Sequence, residues 1–333
     1  MSVEHPFAPF VRILGKGKTG SRSLSREEAH TAFGMILSGQ VEDVQLGAFL
    51  MLLRVKEESP EELAGFVDAC REHMIAPPTD LGADLDWSSY AGKRHQHPWY
   101  VLSMLLLADS GLRVFVHGSA GHTAGRLYTE QTFTQLGLPI ADNWQDVDTQ
   151  LAASGLSYLP LQAFCPALQD LIQLRPLLGL RSPVNTLTRM FNPLRASASL
   201  QSIFHPAYAR LHQEADRLLG QERALVFKGE SGEVEIKPHA VTRLQMLANN
   251  QGMEFEAPRP IAGRVQPVEQ PDSEPLCALW HGESQDSYGL EATLATTASA
   301  LLVLDRAADW TSAYAEAEVL WQQRNPGRLP ECP

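Results

Sequence analysis

From Leu85 onward short apolar runs alternate with stretches of helical periodicity, and few architectures accommodate that alternation. Leu85–Trp87, Arg113–Val116, Leu200–Phe204 and Ala224–Phe227 are short, apolar or β-branched, and bounded by turn residues. They are predicted to be buried strands. Thr123–Leu136, Asp146–Ala153 and Pro206–Leu219 carry the helical pattern between them. Strand and helix in alternation imply an α/β layer architecture with a mostly parallel sheet flanked by helices. A Pro-rich connection from Ala257 to Pro275 then leads to two terminal helices, about Leu290–Leu304 and Ala308–Arg324.

Ahead of the APPTD segment the chain reads differently. Ser25 with Glu28, and Ser59 with Pro60 and Glu62, are capping signatures for two helices, and Gly39 stands where a helix C-terminal cap belongs. Between them QLGAFLMLLRVK is apolar nearly all round, which predicts a buried helix, against the rest of the chain or another subunit. Residues 1–75 are therefore expected to form a small all-helical domain, followed by a larger α/β domain.

The formal net charge is −12, yet the stretch from Leu171 to Gln213 contains no Asp or Glu and carries Arg175, Arg181, Arg189, Arg195 and Arg210. Much of the negative excess lies instead between Glu42 and Asp86. Two explanations compete. Arginines of this kind can be solvated or paired with carboxylates elsewhere, or they can line a cleft that holds phosphate through their planar forks of donors. Phe191, Phe204 and Tyr208 interleave with them, as stacking rings would in a site for single-stranded nucleic acid. Arg210 and Arg217 flank Glu214 at helical spacing and are predicted to pair with it.

The opening RILGKGKTGSRSLSR adds Lys16, Lys18 and Arg22 around three glycines, but its spacing is not that of a Walker phosphate loop. His95 and His97 have no HExxH or CxxC partner, so a metal site is not predicted. The absence of GxSxG argues against a nucleophile-elbow hydrolase. Cys70, Cys165, Cys277 and Cys332 form no CxxC pair and are expected to be reduced thiols. With neither a signal-peptide pattern nor a membrane-length apolar run, a cytoplasmic protein is expected.

The chain resembles the anthranilate phosphoribosyltransferase-like proteins of glycosyltransferase family 3. The resemblance is carried by LSREEAHTAFGMILSGQVEDVQLGAFLMLLRVKEESPEELAGF, by VHGSAG, by GLRSPVN with Asn192 and Pro193 behind it, and by RALVFKGESGEVEI. It implies a helical domain of residues 1–75 completed by about residues 165–195, an α/β domain of residues 76–164 and 196–333, a cleft between them, and a homodimer built through the helical domain. The family's diphosphate turn, GTGGD, corresponds to Ser89, Tyr90, Ala91, Gly92 and Lys93. Its KHGN corresponds to Val116, His117, Gly118 and Ser119, and its metal-holding Asp-Glu pair to Val234 and Glu235. Arg181 matches the arginine of GxRT, whereas GPL is replaced by Thr188, Arg189 and Met190.

Loss of metal acids and gain of Lys93 and Arg189 make the implied cleft more cationic and less suited to neutralising a leaving pyrophosphate. This is similar to the YbiB-type branch, which implies a non-catalytic, sequence-tolerant nucleic-acid-binding homodimer without cofactor or metal. Lys16, Lys18, Arg22, Lys93, Arg94, His117, Arg175, Arg181, Arg189 and Arg195 are then the expected phosphate-binding residues. The alternative is a phosphoribosyltransferase with an altered acceptor. A third possibility is an interaction protein that has lost every ligand.

Overall fold

A computed structural model describes residues 3–17 and 19–331, so Lys18 and Cys332 lie outside the described residues. Four helices come first: Ala8–Gly15, Arg26–Leu37, Asp43–Lys56 and Pro60–His73. The second and fourth begin at the predicted capping boxes. Ser25 and Ser59 accept from the amides of Glu28 and Glu62, whose carboxylates in turn accept from the cap amides. Glu62 is fully buried and also takes the Leu24 amide at 2.9 Å and the Lys56 ammonium at 2.7 Å. One carboxylate thereby ties three segments of the helical unit.

Gly65 lets the second and fourth helices touch. A Cβ there would land on the Arg26 carbonyl and the Ala29 side chain. The helix Asp43–Lys56 is only partly covered within the chain. It buries Phe49, Leu50 and Leu53 but leaves Val44 and Val55 79% and 84% exposed, because only one of its faces has a neighbour within the chain.

The α/β part is one seven-stranded sheet: β1 Leu85–Ser89, β2 Val114–Gly118, β3 Leu156–Pro160, β4 Ala198–Ile203, β5 Arg223–Lys228, β6 Thr242–Ala248 and β7 Gln251–Ala257. The strand order is β3-β2-β1-β4-β5-β6-β7. The first five strands are parallel and the last two antiparallel. Four strands match the apolar runs identified above, and β3, β6 and β7 do not. The edge strand β7 is mostly exposed and polar, and β6 alternates, so neither presents the continuous apolar signal of a buried parallel strand.

Helices cover the sheet on both sides. Tyr100–Asp109 and Ser287–Val303 are buried nearly all round and belong to one core with the sheet's β1, β2, β5 and β6 residues. A second core joins the four N-terminal helices to Phe164, Leu168, Ile172, Val184, Leu187 and Phe191. The helix predicted from Thr123 begins only at Thr129, because Gly121 and Gly125 adopt left-handed backbone ahead of it. The stretch 119–128 is left as a loop at the strand ends.

Gly65→Ala should destabilise the helical unit by about 1–3 kcal/mol through overpacking. A urea unfolding curve monitored by circular dichroism measures this directly. A variant as stable as the parent would show that the close approach of the two helices is not required.

Candidate functional site

The carboxyl ends of the parallel strands gather three loops: 89–93 after β1, 118–128 after β2, and 229–235 after β5. In open α/β sheets this is where ligands are held. The turn Ser89–Lys93 aims successive backbone amides at one point, with Gly92 at a φ of 69°. That geometry makes a nest for an anion. Here the anion is the protein's own. Glu233 accepts the amides of Ala91 and Gly92 at 2.6 and 2.5 Å through one oxygen, and the Ser89 hydroxyl at 2.8 Å through the other.

Glu233 reaches the nest because Ser231 and Gly232 take φ values of 55° and 88°. The left-handed conformation at Ser231 costs roughly 1–2 kcal/mol. Two arginines hold the loop against that cost. Arg126 donates at 2.9 Å to the carbonyls of Ala91, Gly92 and Ser231. Arg189 donates to those of Asn185 at 3.1 Å, Gly232 at 2.7 Å and Ser202.

Lys93 is fully buried, with its ammonium 2.6 Å from Glu230 and in contact with Glu235. Burial alone would lower its pKa, but Glu235 and Glu230 outweigh that and raise it. Burial pushes the Glu235 carboxyl up to about 7 even with the ammonium beside it, and Glu235 also accepts the Tyr100 amide at 3.0 Å. Val234 is buried in the core. The carboxylate at the turn is therefore Glu233, rather than either member of the pair expected from the sequence.

A hydrated divalent cation does not fit this donor set. The Lys93 ammonium stands between Glu230 and Glu235, and the oxygens of Glu233 are committed to amides and a hydroxyl. Among the described residues no group of three or more His, Cys, Asp or Glu is placed to hold a metal.

Several predicted phosphate ligands are relocated. Lys93 is an internal ion-pair partner, and Arg189 is a buried strut between backbone segments. His117 is buried in β2, with Nδ1 2.6 Å from the Tyr90 hydroxyl and Nε2 3.2 Å from Asp86, outside hydrogen-bond geometry. Arg195 precedes β4 and so lies at the amino end of the parallel strands, beside Arg71 and across the sheet from the cleft. Lys16 is exposed on the loop after the first helix. Arg22 makes a bidentate pair with Glu28 that holds its carboxyl down to about 2. Neither is tied to the cleft by a hydrogen bond or ion pair among the described residues.

What remains at the cleft is cationic. Burial, then the charges of Arg189, Arg126 and Arg175, push Arg181 down to about 10. Its guanidinium lies 5.9 Å from the Phe204 ring centroid, and no ion-pair partner meets it among the described residues. Burial pushes His122 down to about 4, with Arg181, Arg175 and Arg189 adding to the shift. Arg175 is half-buried beside the Thr123 hydroxyl, and both it and Arg94 act on Arg126. His122 was a candidate from the sequence beside His117, whereas Arg126 was not identified. The only signal for Arg126 was position, shortly after VHGSAG in the stretch that resembles the family. Beside the arginines a small cavity of about 90 Å³ is lined by Arg54, Glu58, Arg181, Phe204 and Tyr208.

A helical unit beside a mostly parallel sheet, with an amide nest and clustered arginines at the strand ends, defines an open α/β protein with its candidate site at the carboxyl ends of the strands. Residues 10–74 match the glycosyl transferase family helical bundle domain, and residues 101–323 match that family's a/b domain. The chain belongs to glycosyl transferase family 3. It is 29% identical over 252 residues to the uncharacterized protein YbiB of Escherichia coli, covering 74% of this chain and 78% of that one. Over 307 residues it is 29% identical to anthranilate phosphoribosyltransferase of Methylocella silvestris, covering 89% and 86% of the two chains. Its fold superposes with a TM-score of 0.80 on the Saccharomyces cerevisiae anthranilate phosphoribosyltransferase in complex with PRPP and Mg, at 17% identity, covering 98% and 96% of the chains. No helix among the described residues is long and apolar enough to cross a membrane.

Replacing Lys93 by Met should cost about 3–5 kcal/mol, because two buried carboxylates lose their cation. A carboxyl whose folded pKa is raised loses stability as pH rises. Against burial, Lys93 helps to hold Glu230 below its ordinary range, and Glu235 titrates near 7 beside it, so the deficit should be smallest in acid and keep growing as pH rises past about 7. Urea unfolding at a series of pH values checks both size and direction. Glu233→Ala should leave the amide nest without its anion. Calorimetric titration with pyrophosphate should then give saturable heat that the parent protein lacks.

Proposed function

We propose that this chain binds the sugar-phosphate backbone of single-stranded nucleic acid, without sequence preference and without transferring a phosphoribosyl group. The observation that carries the reading is Glu233 seated on the amides of Ala91 and Gly92. A diphosphate needs those donors, and an internal carboxylate already uses them. The cations around the nest are free to act outward. Arg181 and Arg175 lack acidic partners among the described residues, and Arg94 is exposed near Arg126. Phosphate oxygens would relieve the mutual repulsion that lowers Arg181. Phe204 is partly exposed under Arg181 and offers a face on which a base can stack.

A homodimer is part of the proposal. The exposed Val44 and Val55 on helix Asp43–Lys56 give a second copy an apolar surface to cover.

The second reading is phosphoribosyl transfer to an altered acceptor. Family membership and the names of the relatives favour it. It requires the loop 229–235 to withdraw, taking Glu233 off the turn and exposing Lys93.

Salt dependence tests the first reading. Each phosphate neutralised on a single strand contributes roughly 0.7 to the slope of log affinity against log salt. Replacing Arg175 and Arg181 together by Gln should flatten that slope by roughly 1 to 1.5 per protomer and weaken all sequences alike. Arg189 is left intact because its bonds hold the fold. Fluorescence anisotropy across a salt series reads the result. An oligonucleotide that fails to bind at low salt would sink this reading, and magnesium-dependent calorimetric binding of phosphoribosyl pyrophosphate would establish the second.

A further inference from the structure

A second, roomier cavity at the strand ends lies next to the arginine cleft rather than in it. It is an open groove of about 700 Å³ between the first turn of helix Tyr208–Leu218 and the start of β6. Arg210, Lys228, Lys237 and Arg243 line it, with Glu254 the acid among the lining residues. In a chain with a net charge of −12, four cations converging on one groove call for a counter-charge.

The internal partners are few. Glu214 pairs with Arg217 at 2.7 Å and not, as its spacing suggested, with Arg210 as well. Arg210 and Lys228 are exposed and make no ion pair among the described residues. Arg243 has only a loose contact, 3.9 Å from Glu256. Lys237 is half-buried, and the nearby Glu230 is already bonded to Lys93. Burial, and then the charges of Lys228 and Lys93, lower the Lys237 pKa against the pull of Glu230.

The groove is continuous with the cleft. Ile203, at the end of β4, lines both, and the segment from Phe204 to Arg210 forms the ridge between them. That ridge carries Phe204 and Tyr208 on the cleft side and Arg210 on the groove side. A ligand crossing it meets cations, an aromatic face and then cations again. Phosphodiesters separated by bases present the complementary pattern.

We propose that this groove is a second phosphate-binding station, which takes the backbone of a single strand as it leaves the arginine cleft. The proposal rests on the nucleic-acid reading above and adds a direction and a length to it. A strand too short to span the ridge engages the cleft alone. A longer one gains the contacts of Arg210, Lys228, Lys237 and Arg243. Inorganic phosphate or a mononucleotide would use the same chemistry but gain nothing from strand length.

The test is a length series of oligothymidylates, from roughly 4 to roughly 16 nucleotides, titrated by fluorescence anisotropy into the full chain. Arg210, Lys228 and Arg243 are replaced together by Gln, since Arg210 and Lys228 are exposed and Arg243 is held only loosely. The longest strand should bind at least tenfold more weakly to this variant, with a salt slope reduced by roughly 1.4 to 2.1, and the shortest should bind unchanged. Lys228→Glu alone should give the same length-selective loss. Parent-like binding of every length by both variants would overturn the second station while leaving the cleft reading intact. A parent protein that binds no strand at low salt would overturn both. Equal binding of inorganic phosphate and the long strand at the groove, read by competition, would replace the strand with a small phosphorylated ligand and overturn the proposal.

Discussion

A lysine ammonium buried between two carboxylates holds the cleft together. Lys93 ends the turn after β1, and Glu230 and Glu235 bracket the loop after β5, so their contact closes one loop onto the other. With the loop drawn in, Glu233 falls on the amides of Ala91 and Gly92. Burying three charges is expensive, and such a cluster persists only while every member is partnered. The structure meets that demand with the Tyr100 amide on Glu235 and the Ser231 hydroxyl on Glu230.

The same accounting separates the arginines into two kinds. Arg126 and Arg189 spend their donors on backbone carbonyls and fix the shape of the loops. Arg175, Arg181 and Arg94 are left to raise the local potential. A sequence does not distinguish these roles, because a guanidinium that braces a carbonyl and one that waits for a phosphate are the same residue. Burial and the count of acceptors within reach distinguish them.

Family 3 membership and the superposition on a phosphoribosyltransferase fold establish the scaffold, and function resides in the site that the scaffold carries. An amide nest at a strand end binds whatever anion lies closest in covalent and spatial terms. When the chain supplies a carboxylate on a neighbouring loop, its effective concentration exceeds that of any free diphosphate. The cations that remain without an internal partner then lie outside the nest, at the arginines of the mouth and in the groove beyond the ridge.

The sequence by itself determined the helical unit and the parallel sheet. Ser25 with Glu28 and Ser59 with Glu62 are local interactions between near neighbours, and the apolar runs at Leu85, Val114, Leu200 and Ala224 require burial wherever they pack. It also carried the positive segment from Leu171 to Gln213, since an acid-free stretch is visible without coordinates. Only the tertiary structure decided which cations face outward. Lys93 looks like a phosphate ligand until carboxylates from the loop after β5 surround it, Arg189 until backbone carbonyls that include that of Gly232 take its donors, and Arg195 lies before β4, at the end of the sheet away from the cleft. Arg210 is released when Glu214 chooses Arg217. The assignments of Lys93 and Arg195 depend on which segments meet across the fold, and no local pattern encodes those meetings; that of Arg210 depends on which of two arginines at helical spacing Glu214 takes.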